Sequence, residues 1–130
     1  MILSGMKDEG FEKFFEKHEI GNKMTDLNLI FIGNGLTSKS MTHLEKYLKG
    51  TNLENFALNL YANSLGFEGG EILGKSLKNL NGKNQVKSLA IDLYFSNVTE
   101  IGTKAITDSI VEMNNLESLS LNFDFNYIKN

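Results

Sequence analysis

The stretch Leu53-Glu54-Asn55-Phe56-Ala57-Leu58-Asn59-Leu60-Tyr61-Ala62-Asn63-Ser64-Leu65 decides the fold. Phe56, Leu58 and Leu60 alternate with Ala57, Asn59 and Tyr61, the period of two that a strand with one buried face requires. After Asn63 the period changes. Gly69, Ile72, Leu73 and Leu77 follow at the spacing of one helical face. Strand, turn, helix and return make one unit, which buries its apolar faces only by stacking on neighbours of the same kind.

Three further stretches repeat this pattern, beginning at Met24, Val86 and Leu116, so the four copies start 29, 33 and 30 residues apart. Each reads L-x-x-L-x-L-x-L-x-x-N-x-L, with Asn34, Asn63, Ser96 and Asn126 at the polar position and Leu36, Leu65, Val98 and Ile128 at the last apolar one. All 20 apolar positions of the four copies hold apolar residues; at 41% hydrophobic content that has a chance of about 10⁻⁸ in a fixed register. The helical faces recur too, as Met41, Leu44 and Leu48 in the first copy and Gly102, Ala105, Ile106 and Ile110 in the third. The segment from Met6 to Phe14 aligns with Leu65 to Leu73 and predicts a helix before the first strand, with Asp8 as its N-cap and Phe11, Phe14 and Phe15 as packing groups. The chain therefore divides into a partial repeat over 1–23, repeats over 24–52, 53–85 and 86–115, and a partial repeat over 116–130, in one domain.

These residues resemble the ribonuclease inhibitor-like leucine-rich repeats, also found in Ran GTPase-activating protein and NOD-type receptors. The resemblance runs from about Met6 to Ile128 and is most specific over Leu58-x-Leu60-x-x-Asn63-x-Leu65-Gly66-x-x-Gly69-x-x-Ile72-Leu73-x-x-x-Leu77. It implies an α/β leucine-rich-repeat solenoid, a right-handed α/β horseshoe with parallel strands on the concave face and helices on the convex face. It also implies that Asn34, Asn63 and Asn126 hydrogen-bond backbone groups in the turn after each strand. Three departures stand out: an apolar strand pattern two residues longer than the family's, Ser96 in place of Asn, and about four extra residues between Leu77 and Val86, including the turn signal Asn81-Gly82.

Composition narrows the function. The net charge is −3 and all 13 basic residues are lysines, which speaks against nucleic-acid binding and removes the arginine fork used for phosphate recognition. Without cysteine there is no disulfide frame and no thiolate metal site. The opening Met1 to Glu9 carries too short an apolar run for a secretory signal, and no stretch approaches membrane-spanning length, so an intracellular protein, cytoplasmic or cytoskeletal, is expected. The sequon Asn97-Val98-Thr99 then reads as part of a turn.

Catalytic chemistry finds no constellation. His18 and His43 lie on predicted helices with no ligand at metal spacing, and Gly33-Asn34-Gly35 and Gly69-Gly70 lack the flanking residues of a phosphate loop. Asp92 and Asp124 are expected on adjacent strands as solvated carboxylates rather than as an acid–base pair. No catalytic residue, metal or cofactor is expected. The helix lysines, among them Lys13, Lys46 and Lys75, are expected on a solvated convex surface.

The strand residues between the core leucines form four columns: Asp26, Asn55, Ser88 and Ser118; Asn28, Ala57, Ala90 and Ser120; Ile30, Asn59, Asp92 and Asn122; and Ile32, Tyr61, Tyr94 and Asp124. Tyrosine supplies contact area with a polar handle, the chemistry of an interface hot spot. The candidate partner-binding residues are Ile32, Asn59, Tyr61, Asp92, Tyr94, Asn122 and Asp124, facing a protein partner that is polar or basic. A non-enzymatic interaction module or scaffold subunit is the leading expectation; a regulator of a small GTPase resembling Ran GTPase-activating protein is the alternative, carried by fold analogy alone. Leu119, Leu121, Phe123, Phe125 and Ile128 form an apolar end, for which a longer repeat array or another subunit is the expected cover.

Overall fold

Among the described residues eight elements alternate: α1 (Lys7–Lys17), β1 (Asp26–Ile30), α2 (Ser38–Leu48), β2 (Asn55–Asn59), α3 (Gly66–Leu80), β3 (Ser88–Asp92), α4 (Thr99–Ile110) and β4 (Ser118–Asn122). The computed structural model describes residues 5–126; Ile128, the last apolar position of the fourth copy, lies outside them. The strands form one parallel sheet in the order β1-β2-β3-β4. Each helix packs on the next in the same order.

Alternation along the strands sets the two sides of the sheet. Phe56 and Leu58 in β2, and Leu89 and Ile91 in β3, are buried and join the helix residues Met41, Leu44, Leu73, Leu77 and Ile106 in one core. The intervening residues are half-buried. At the N-terminal end, Phe11 and Phe15 of α1 close the core, with Phe11 4.9 Å from Phe31 and Phe15 stacked on Tyr47 at 4.8 Å. At the other end, Leu119 of β4 is 48% exposed, whereas Phe56 and Leu89 at the same register are 2% exposed.

Two expectations are corrected. The strands stop at Ile30, Asn59, Asp92 and Asn122, so Ile32, Tyr61, Tyr94 and Asp124 stand in turns rather than on strands. After β2, β3 and β4 the reason is local: the side chains of Asn59, Asp92 and Asn122 each accept the backbone N–H two residues on, at 3.0, 3.0 and 3.1 Å, an Asx turn that bends the chain. Nor does Asp8 cap its own helix. Met6 is the N-cap of α1, and the Asp8 carboxylate reaches instead to the start of α2.

The extra residues before Val86 lengthen a helix more than a loop. Helix α3 has 15 residues against 11 in α2 and 12 in α4. The Gln85 amide then closes the return by donating to the carbonyls of Leu80 and Leu53 at 2.7 and 3.1 Å.

Candidate functional site

The sheet face turned away from the helices carries the first three columns in register. Asp26, Asn55, Ser88 and Ser118 are paired across the strands, as are Asn28, Ala57, Ala90 and Ser120, and Ile30, Asn59, Asp92 and Asn122. The first column is bound into a polar ladder: the Asn55 amide donates to Asp26 at 2.7 Å, and the Ser88 hydroxyl donates to Asn55 at 2.7 Å. The small residues Ala57 and Ala90 leave an open trough across the strands. Two adjoining depressions of about 420 and 320 Å³ share Asn28, Ala57, Ala90 and Ser120 as lining.

The turns beyond the strands are fixed by asparagine. Asn63 Oδ1 accepts the N–H groups of Asn34 and Leu36 at 3.1 and 3.0 Å, while its Nδ2 donates to the carbonyls of Phe31 and Leu60 at 2.8 and 3.0 Å. Asn126 makes the matching bonds to the N–H groups of Ser96 and Val98 and to the carbonyls of Leu93 and Phe123. Asn34 Oδ1 accepts from Met6 N at 2.8 Å. Buried amides of this kind satisfy backbone groups that neither strand nor helix can reach. Ser96 substitutes in part: its hydroxyl donates to the Leu60 carbonyl at 2.5 Å, and the Leu65 N–H turns to the Ser96 backbone carbonyl at 3.1 Å.

These turns raise the aromatic row. Tyr61 and Tyr94 stack at 4.8 Å with 3° between their planes, and Tyr94 meets Phe125 edge-on at 5.1 Å. Tyr61 and Ile32 are 39% and 40% exposed. Among the expected site residues, the structure thus brings Tyr61 and Tyr94 into contact and gives the half-buried Asn59, Asp92 and Asn122 a turn-forming role on the face. Asp92 faces Asn122 across the sheet, and Asp124 sits two residues further on in the turn.

No protein-family model matches the sequence, and neither does any curated protein.

The sequence reading missed Phe95 and placed Phe125 only in the apolar end, not beside the tyrosines. Neither belongs to a repeat column, yet they are 56% and 67% exposed and lie next to the tyrosine row. The adjacency shows in the backbone, where Phe95 N–H donates to the Asp124 carbonyl at 3.0 Å. A signal was available in the aligned positions, which hold Gly33 and Ala62 in the first two copies and phenylalanine in the last two.

The titratable residues set aside above are occupied elsewhere. His43 lies 3.6 Å from Glu12 on the helix layer, and His18 packs on the Phe14 ring at 4.6 Å. Among the described residues no group of three or more His, Cys, Asp or Glu could hold a metal, and no helix is long and apolar enough to cross a membrane.

Proposed function

We propose that this chain is a stretch of a leucine-rich-repeat solenoid of the α/β horseshoe kind, working as a non-enzymatic protein-interaction module or scaffold subunit. Its concave strand face takes the partner. One observation carries the reading: the flat Tyr61–Tyr94 stack, 4.8 Å apart, follows directly on Asn59 and Asp92, which line one end of an open trough floored by Ala57 and Ala90. An exposed ring stacked on a half-buried one, next to small residues, offers a partner both anchoring area and room, the arrangement of an interface centre. Repeat-by-repeat stacking, in-register columns and the turn asparagines support the solenoid part of the proposal.

A second contact belongs to the same reading. The half-exposed Leu119, with Leu121 and Phe123 only partly buried beside it, suits another strand-and-helix unit supplied by a longer array or a neighbouring subunit.

The test is quantitative co-purification from source cells. The Tyr61→Ala, Tyr94→Ala double variant should lose the partners that the unaltered chain captures, with an unchanged circular dichroism spectrum. Capture that survives this pair excludes the concave face as the main interface.

A further inference from the structure

We propose that the turns after β3 and β4 form a distinct docking rim, built on Phe95 and Phe125, for a basic amphipathic segment of a partner protein. This rests on the partner-binding reading but adds a second hot spot to the turns, one residue on from Tyr94 and Asp124.

Backbone conformation is the first observation. The residue before each turn Asn or Ser is left-handed in every copy, with φ of 61° at Gly33, 58° at Ala62, 54° at Phe95 and 58° at Phe125. Glycine adopts this region freely and asparagine adopts it readily, whereas a bulky side chain is disfavoured there. Phenylalanine at 95 and 125 therefore opposes the turn that the repeat imposes. Burial does not offset this, since the two rings are 56% and 67% exposed. Strain together with exposure at two equivalent positions points to a gain made outside the chain.

Charge states the chemistry of that partner. The segments 26–38, 55–70, 88–103 and 118–126 comprise the strands, the turns and the starts of the helices that follow. They hold Asp26, Glu68, Asp92, Glu100 and Asp124 and not one of the 13 lysines. Among the described residues lysine is confined to the helices and returns. The segments that carry the rim itself, 88–103 and 118–126, hold Asp92, Glu100 and Asp124 and no lysine, and an apolar rim so flanked fits a segment with aliphatic or aromatic side chains on one face and Lys or Arg beside them. The rings also receive cationic heads favourably. The rim is continuous with the Tyr94 ring, 5.1 Å from Phe125.

The test uses the intact chain against a displayed library of random 16-residue peptides. Peptides enriched on the unaltered chain should carry net positive charge and apolar residues at i, i+3 and i+4 spacing. Their dissociation constants should rise at least about tenfold on the Phe95→Asn, Phe125→Asn variant. The Tm of that variant should hold or increase, because asparagine suits the left-handed turn. Enrichment of acidic peptides, binding indifferent to the phenylalanines, or a lowered Tm would overturn the proposal. Binding lost only with Tyr61→Ala, Tyr94→Ala removes the rim and leaves the strand face standing; binding indifferent to both pairs removes both. Concentration-dependent self-association abolished by the phenylalanine changes would make a second copy the occupant and likewise sink a basic partner.

Discussion

The Asp8 carboxylate accepts the backbone N–H of Thr37 at 2.9 Å, joining the first turn of α1 to the start of α2 across 29 residues of sequence. Its second oxygen takes the Thr37 hydroxyl at 2.6 Å, and Ser40 Oγ completes the set. A negative charge here meets the unpaired N–H groups and positive dipole end of α2. Thr37 caps the same helix by accepting from Lys39 N–H at 3.3 Å, so Asp8 holds the cap itself in place.

Asp8→Ala should lower stability by about 1 kcal/mol, as loss of a helix cap does. Burial opposes the Asp8 charge, but the hydrogen bonds from Ser40 and Thr37 outweigh it and hold the carboxyl below its ordinary value of 3.8. A depressed folded-state pKa gives stability that is present above 3.8 and is lost as pH falls through the lower folded value. Urea unfolding of both proteins should therefore show a gap at pH 7 that narrows in strong acid. A gap independent of pH would mean that packing, not the charge, links the two helices.

Asn63 and Ser96 occupy equivalent turns but carry unequal shares. Asn63→Ala removes four bonds to buried backbone groups and should cost about 3 kcal/mol, since each stranded group loses its partner away from water. Ser96→Ala removes one principal bond, to the Leu60 carbonyl, and should cost about 1 kcal/mol. Denaturant midpoints compare them directly. Equal losses would contradict the assignment of the amide as the main fastener of the turn.

Gly70 sits where α3 and α4 approach most closely. A Cβ at this position would stand 2.5 Å from Gly102 Cα, and one at Gly74 would stand 2.6 Å from the Ala105 carbonyl oxygen. Helix propensity favours Gly70→Ala by up to about 1 kcal/mol, while overpacking against backbone costs about 1–3 kcal/mol. The contact is with backbone, which cannot swing aside, so the clash wins and thermal unfolding should shift downward. Gly21→Ala, with nothing within 4 Å of the added carbon, should stay within about 0.5 kcal/mol of the parent. A stabilised Gly70→Ala would show that the helices can part without loss.

What was legible in the sequence follows from what repeats. Leu27, Phe56, Leu89 and Leu119 align by residue type, and the strands pair in that same register because a slip of one residue would turn every apolar side chain outward. The ends of the strands were not legible. Alternation continues through Phe31 and Leu60, although β1 and β2 end at Ile30 and Asn59; after β2, β3 and β4 it is the Asx bonds of Asn59, Asp92 and Asn122 that bend the chain. Asp8 resembled a local cap because capping rules describe neighbours in sequence, whereas its partners lie in the following unit. Gly70 and Phe95 were opaque for opposite reasons. A close approach leaves no trace beyond a missing side chain, and a left-handed turn occupied by phenylalanine contradicts the preference that would reveal it.

The second and third units are joined unequally on their two sides. At the turns, Ser96 provides one hydroxyl where its counterparts provide a full amide; at the helices, Gly70 and Gly102 bring the backbones into direct contact. Such a joint has a fulcrum. Flexing of the stack there should pivot about the glycine contact and part first between Asn63 and Ser96. That would change the spacing of Tyr61 and Tyr94, so bending at this joint would be read out by the two rings nearest it.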